Sequence, residues 1–189
     1  YYNRALAYNG LRDFDQVVAD YDQTIRLDSA YVDAYYNRGF IHHKQGNTAL
    51  ALADYNQTIT LDPDYAPAYN NRGLLYYEQG DFSRAIADFD YAIMFNPEDT
   101  EAYSNRGAVY AKQGNLAEAI ANFDQAIAIN PEDVIAYYNR GRIRVDLGDL
   151  EGAINDIETG LALDTNPQTM RAVQDLSLIH ISEPTRPTP

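Results

Sequence analysis

The sequence predicts an all-α solenoid of antiparallel helix pairs, on three observations. The dipeptide Asn-Arg recurs at a fixed step of 34 residues, as Asn3-Arg4, Asn37-Arg38, Asn71-Arg72, Asn105-Arg106 and Asn139-Arg140. Between these marks apolar residues return at three- and four-residue steps, as in Leu116, Ala119, Ile120, Phe123, Ala126 and Ile127, which places them on one helical face. The punctuation also keeps its phase, with Gly46, Gly80, Gly114 and Gly148 near the middle of a copy and Pro63, Pro97 and Pro131 near its end. A period of this length marks a stacked-repeat protein, in which about three repeats are needed to bury a continuous core. Five copies are present, over 1–31, 32–65, 66–99, 100–133 and 134–167.

Each copy reads as a helix A, a tight turn and a helix B. The first copy opens at Tyr1, partway through its repeat, so the natural N-terminus is expected to lie upstream. In the second copy helix A is expected over 32–45, ended by Gly46, which accepts the left-handed backbone that a Cβ would oppose. Gly80, Gly114 and Gly148 serve the later copies, whereas the first has Arg12 there and a turn of different shape is expected. The next residue is short and polar (Asp13, Asn47, Asp81, Asn115, Asp149) and suited to cap helix B. Asp13 with Gln16, and Asn115 with Glu118, have capping-box spacing. Helix B is expected to end near Asp62, Asn96 and Asn130, before the prolines; Ser29 and Thr165 stand at that place in the first and fifth copies. Pro67 falls in the first turn of its helix, where a missing N–H costs nothing.

Small residues set how closely the two helices of a pair approach: Gly39 with Ala51, Gly73 with Ala85, Gly107 with Ala119 and Gly141 with Ala153. The first copy has the larger Ala5 and Val17, and a wider pair is expected. Seventeen tyrosines supply packing area with a polar tip. After Pro167, 168–175 begins another helix without the Asn-Arg-Gly signature and reads as the start of a capping helix or a further repeat. The stretch 176–186 matches an in-frame translation of a transposase-based sequencing adapter, so 176–189 is set apart from arguments about fold and function.

The formal charge of −14 argues against nucleic acid or an anionic membrane as partner, since both require a basic surface. No apolar run is long enough to span a bilayer. There is no cysteine, hence no disulfide or thiolate metal site, and the compartment is left open, with the cytoplasm as default. The column Arg4, Arg38, Arg72, Arg106 and Arg140 is matched on helix B by Asp20, Asp54, Asp88 and Asp156, with Asn122 the neutral member. Equal periodicity in opposite charges predicts bidentate pairs within or between repeats rather than a ligand stripe.

Catalytic readings are weak. His42 and His43 are adjacent on a helix and diverge, and His42 stands where other copies carry Tyr. The glycines are single, and no Ser, His and Asp set stands out. Asn56-Gln57-Thr58 matches a glycosylation sequon but falls mid-helix. No enzyme activity, cofactor or metal is expected.

The residues of 69–97 also carry a family resemblance. Tyr69-x2-Arg72-Gly73-x2-Tyr76, then Ala85-x3-Phe89, then Pro97 resembles the tetratricopeptide repeat (TPR), with Tyr where Trp is common and Arg72 where Leu is common. The resemblance covers Tyr1 to about Pro167. It implies a right-handed superhelix whose A helices line a concave groove. It places Asn37, Asn71, Asn105 and Asn139 on that groove, where an amide that both donates and accepts can pair with an extended peptide backbone. The alternative is that these amides only join neighbouring repeats, and both readings stay open. By the same resemblance, groove specificity falls to Tyr36, Phe40 and His43, then Asn70, Leu74 and Tyr77, then Ser104, Ala108 and Ala111, and finally Tyr138, Arg142 and Val145. TPR domains that grip a C-terminal carboxylate use Lys and Arg at such positions; only Arg142 answers here.

The function expected is protein or peptide binding as a scaffold or adaptor. An alternative is the substrate-recognition arm of a larger enzyme, similar in general form to the repeats of O-linked N-acetylglucosamine transferase. Self-association through truncated repeat ends is a third reading.

Overall fold

The computed structural model describes residues 1–11 and 13–164, so the turn at Arg12, Thr165 and the stretches 168–175 and 176–189 lie outside the described residues. Ten helices and no strand are formed among the described residues: α1 (Tyr2–Leu11), α2 (Phe14–Leu27), α3 (Val32–Lys44), α4 (Thr48–Leu61), α5 (Ala66–Glu78), α6 (Phe82–Phe95), α7 (Thr100–Lys112), α8 (Leu116–Ile129), α9 (Val134–Asp146) and α10 (Leu150–Leu163). Odd-numbered helices are the A helices and even-numbered the B helices. Each A packs on its own B and on the B before it, and successive A helices touch (α3 with α5, α5 with α7, α7 with α9), which sets the A helices on the inner, concave side.

The turn from A to B is closed by backbone of positive φ at Gly46, Gly80, Gly114 and Gly148, between 76° and 79°. Asp13, Asp81 and Asp149 then cap the B helices, accepting from the backbone N–H three residues on. Asn47 and Asn115 occupy the same place but make no side-chain cap bond, so the expected Asn115–Glu118 box does not form. Asp13 accepts from Gln16 N at 3.3 Å, the forward half of its box. The B helices end at Leu27, Leu61, Phe95 and Ile129 whether or not proline follows. The common device is a side-chain turn: Asp28, Asp62, Asn96 and Asn130 each accept from the N–H two residues on, at 3.0–3.3 Å. That bond ends α2 although Ser29 replaces the proline.

The core is a chain of small clusters, each shared by adjacent pairs; Ala5, Val17 and Tyr21 of the first pair, for example, join Ala34 and Ile41 of the second. Large side chains on B (Tyr21, Tyr55, Phe89, Phe123) fill the centre, 0–1% exposed. In the second, third and fourth pairs the helical glycine on A lies against this ring, whereas Gly141 of the fifth has the Ala153 carbonyl, the neighbour expected from spacing, close by. A Cβ on Gly73 would stand 2.8 Å from Phe89 Cε1, and one on Gly39 3.0 Å from Tyr55 Cε1. In the fifth pair Ile157 replaces the ring, and a Cβ on Gly141 would meet its nearest atom at 3.2 Å.

Three variants test this packing. Gly73→Ala is expected to lower the urea midpoint, with overpacking against Phe89 costing about 1–3 kcal/mol. Gly141→Ala is expected to stay within about 1 kcal/mol of the parent, because helix propensity favours Ala by a similar amount. The Tyr55 hydroxyl is buried with no hydrogen-bond partner, at a place where Phe89 and Phe123 carry none. Tyr55→Phe is therefore expected to raise the thermal midpoint, by about 1 kcal/mol of stability; a fall would show the hydroxyl to be satisfied.

Candidate functional site

The concave face is built on a column of arginines that the packing removes from ligand duty. Arg38 donates through Nε and Nη2 to both oxygens of Asp54 at 2.9 and 2.6 Å, and Arg72 does the same to Asp88 at 2.8 and 2.7 Å. Arg4 with Asp20 and Arg140 with Asp156 repeat the fork, while Arg106 makes one bond of 2.8 Å to Asn122. The third nitrogen, Nη1, reaches back to the preceding repeat: Arg38 to Asp22, Arg72 to Asn56, Arg106 to Asp90 and Arg140 to Asp124, at 2.5–2.6 Å. One guanidinium thus ties three helices. The hydrogen bonds they donate to Asp54 and Asp156 hold Arg38 and Arg140 further into the charged state. Asn56, the sequon asparagine, is taken up in this network within α4.

The asparagine column lies one residue before these arginines and joins the same repeats. Asn37 donates through Nδ2 to the Tyr2 hydroxyl at 3.1 Å, Asn71 to the Tyr36 hydroxyl at 3.0 Å, and Asn105 to Asn70 Oδ1 at 3.0 Å. Each bond spans 35 residues and fixes the amide plane, leaving its oxygen and second N–H clear of that contact. Asn139 makes no side-chain hydrogen bond among the described residues; Ser104, which stands 35 residues before it, donates instead to Asp133 at 3.4 Å.

The other expected groove residues divide into two sets. In the N-terminal half the wall is aromatic: Tyr36 packs on Tyr65 with ring centroids 5.1 Å apart, as Tyr2 does on Tyr31 at 5.0 Å. Burial pushes the Tyr36 hydroxyl pKa up, and the charges of Glu101 and Asp99 push it the same way. Phe40 is half-buried beneath the Lys44 ammonium, and His43 Nε2 lies 3.2 Å from Glu78 Oε1. His42 points elsewhere, its Nδ1 buried without a partner, so the two histidines do not converge. Tyr77 meets Phe82, and Tyr138 lies over Gly160.

Leu74, Ser104 and Asn105 of the expected set come together at one cleft. They line a space of about 490 Å³ on α5, α7 and the entry to α9, with Glu101, Glu132 and Asp133. Asn70, beside it, is 4% exposed, while Arg142 is exposed on the next helix. The acidic residues of this cleft were missed because they precede or open a helix and read as solvated charge. The available signal was the residue before each A helix, which changes from Tyr31 and Tyr65 to Asp99 and Asp133. The tyrosines make no cap bond, whereas Asp99 and Asp133 cap α7 and α9.

Among the described residues no group of three or more His, Asp or Glu side chains is placed to hold a metal ion, and no helix is long and apolar enough to cross a membrane.

A sequence model of the family described as "Tetratricopeptide repeat" matches residues 70–134 and 110–168, and one described as "TPR repeat" matches 13–46 and 41–80. No curated protein matches. Among solved structures the chain is similar to MamA, with 23% identity over 91% of this chain and 98% of that one and a TM-score of 0.77. It is similar to pilF of Pseudomonas aeruginosa at 17% identity, covering 97% of this chain and 91% of that one, with a TM-score of 0.79. YrrB, described as a TPR protein with an unusual peptide-binding site, has 20% identity over 93% of this chain and 90% of that one, with a TM-score of 0.70. At these identities the likeness is one of fold.

The arginine clamp gives a direct test. Arg72→Leu alone leaves Asp88 buried beside an apolar chain and is expected to cost about 3–5 kcal/mol. The double variant Arg72→Leu/Asp88→Leu is expected to recover much of that loss in urea unfolding, and additive losses would contradict the pairing. At the first pair, the hydrogen bonds from Arg4 hold the Asp20 carboxyl below its ordinary range. Its contribution to stability is therefore present above the unfolded carboxylate pKa and is lost as pH falls through the lowered folded value.

Proposed function

Since the chain belongs to the tetratricopeptide repeat family, we propose that it is a protein- or peptide-binding scaffold that takes an extended segment along the concave face of its A helices. The observation that carries this reading is the asparagine column. Asn37, Asn71 and Asn105 are oriented by one bond to the repeat before, and each keeps an acceptor and a donor beyond that bond. Successive peptide groups of an extended chain present the complementary pair, so a ladder of such amides holds main chain and leaves side-chain choice to its neighbours. The arginines do not compete for this role, because all five are engaged by helix B side chains. The partner is a protein or peptide, and the module binds rather than catalyses.

The test separates binding from stacking. In Asn71→Ala and Asn105→Ala the affinity for a selected peptide is expected to fall about tenfold each, as one hydrogen-bonding group is lost. Thermal stability is expected to fall by only about 0.5–1.5 kcal/mol, for the broken bond to Tyr36 or Asn70. Unchanged affinity with reduced stability would assign the amides to stacking alone.

A further inference from the structure

The groove changes character partway along, and the change comes from two positions that switch together. In the first two copies a tyrosine before the next A helix packs with a tilted ring against a tyrosine inside the groove, Tyr31 on Tyr2 and Tyr65 on Tyr36. In the next two copies the pair is Asp99 with Asn70 and Asp133 with Ser104. Replacing two rings by two short polar side chains opens the cleft of about 490 Å³ beside Ser104. Its walls are unlike each other. Leu74 and Ile135, the latter 66% exposed, give apolar surface, while Glu101, Glu132 and Asp133 give charge.

The state of those carboxylates decides what fits. Asp133 is occupied on both oxygens, one capping α9 at Ala136 N and one accepting from Ser104. Glu101 and Glu132 lie exposed at the cleft, and neither has a basic partner among the described residues. This differs from the arginine column, where carboxylates are consumed in pairs. A cleft with aliphatic surface on one side and unpaired carboxylates on another suits a side chain with an alkyl stem and a cationic head.

We propose that this cleft is the specificity pocket of the groove and receives a lysine or arginine side chain of the bound peptide, with its stem on Leu74 and Ile135 and its cation between Glu101 and Glu132. The assignment rests on the groove reading above and names the chemistry of what the groove selects. It accounts for the switch from Tyr to Ser at 104, since a ring there would fill the space.

The test is selection from a random-peptide phage library against the full chain, followed by fluorescence polarisation with synthetic winners. Winners are expected to carry Lys or Arg beside apolar residues, and to bind about five- to tenfold more weakly when that residue is norleucine. Glu101→Gln/Glu132→Gln is expected to remove that preference, and added salt to weaken the parent but not this variant. Both glutamates are exposed, and an unchanged circular dichroism melt confirms that the variant is folded. Ser104→Tyr, which restores the residue of the earlier copies, is expected to remove the preference by filling the cleft. Winners that compete for the groove but show no basic bias, or a bias that survives both variants, would overturn the pocket while leaving the groove reading intact. No groove-dependent enrichment at all would overturn both.

Discussion

A helical array has no long-range contact to hold its two ends in register, so each junction between neighbours has to be specified locally. Here the guanidinium of helix A does much of that work. It forks onto a buried carboxylate of its own helix B and extends its remaining nitrogen to helix B of the repeat before. The fork demands a fixed distance and plane between A and B, and the third bond demands a fixed step between repeats. A lysine, with a point charge and no plane, would satisfy neither. The close approach of Gly73 to Phe89 and the positive-φ turns then follow from the same separation of helices.

Because the five arginines of the column are consumed internally, the inner surface is left largely to other side chains, asparagine, aromatic and acidic ones among them. The asparagines are at once part of the junction and part of the surface, since the bond that joins Asn71 to Tyr36 also aims the rest of the amide. On the proposed reading, rigidity of this kind lowers the entropic cost of capturing a flexible partner. The side chains around the ladder then differ from repeat to repeat: aromatic at Tyr36, small and polar at Ser104, basic at Arg142. A uniform scaffold thereby presents a non-uniform surface.

Much of this was legible in the sequence because periodicity amplifies weak signals. A single Gly46 is a modest indication of a turn, but four at one phase define it, and the Arg and Asp columns declared their pairing the same way. What escaped reading has a physical reason. From one sequence, a partner 16 residues ahead looks like a partner 16 residues behind, so the column of helix B partners is legible while the back-reaching bonds to Asp22, Asn56, Asp90 and Asp124 are not. The caps at Asn47 and Asn115 were expected from residue type, yet only the aspartates accept there. Opening a cleft depends on two distant side chains being short at once, and Ser104 and Asp133 are far apart in the chain. Their coincidence is visible only once the helices are stacked.

The back-reaching bonds are not equal. Three of the four end on a carboxylate that is 44–55% exposed, whereas that of Arg72 ends on the neutral Asn56. In a one-dimensional array, stability is a sum of repeat terms and nearest-neighbour terms, so this inequality becomes a profile along the chain. Dissolved ions screen the three exposed charged links and leave the neutral one nearly untouched. Ionic strength therefore acts as a dial on how evenly the array is coupled. The junction between the second and third repeats, joined by the Arg72–Asn56 and Asn71–Tyr36 bonds, is thus the one whose back-reaching bond salt alters least.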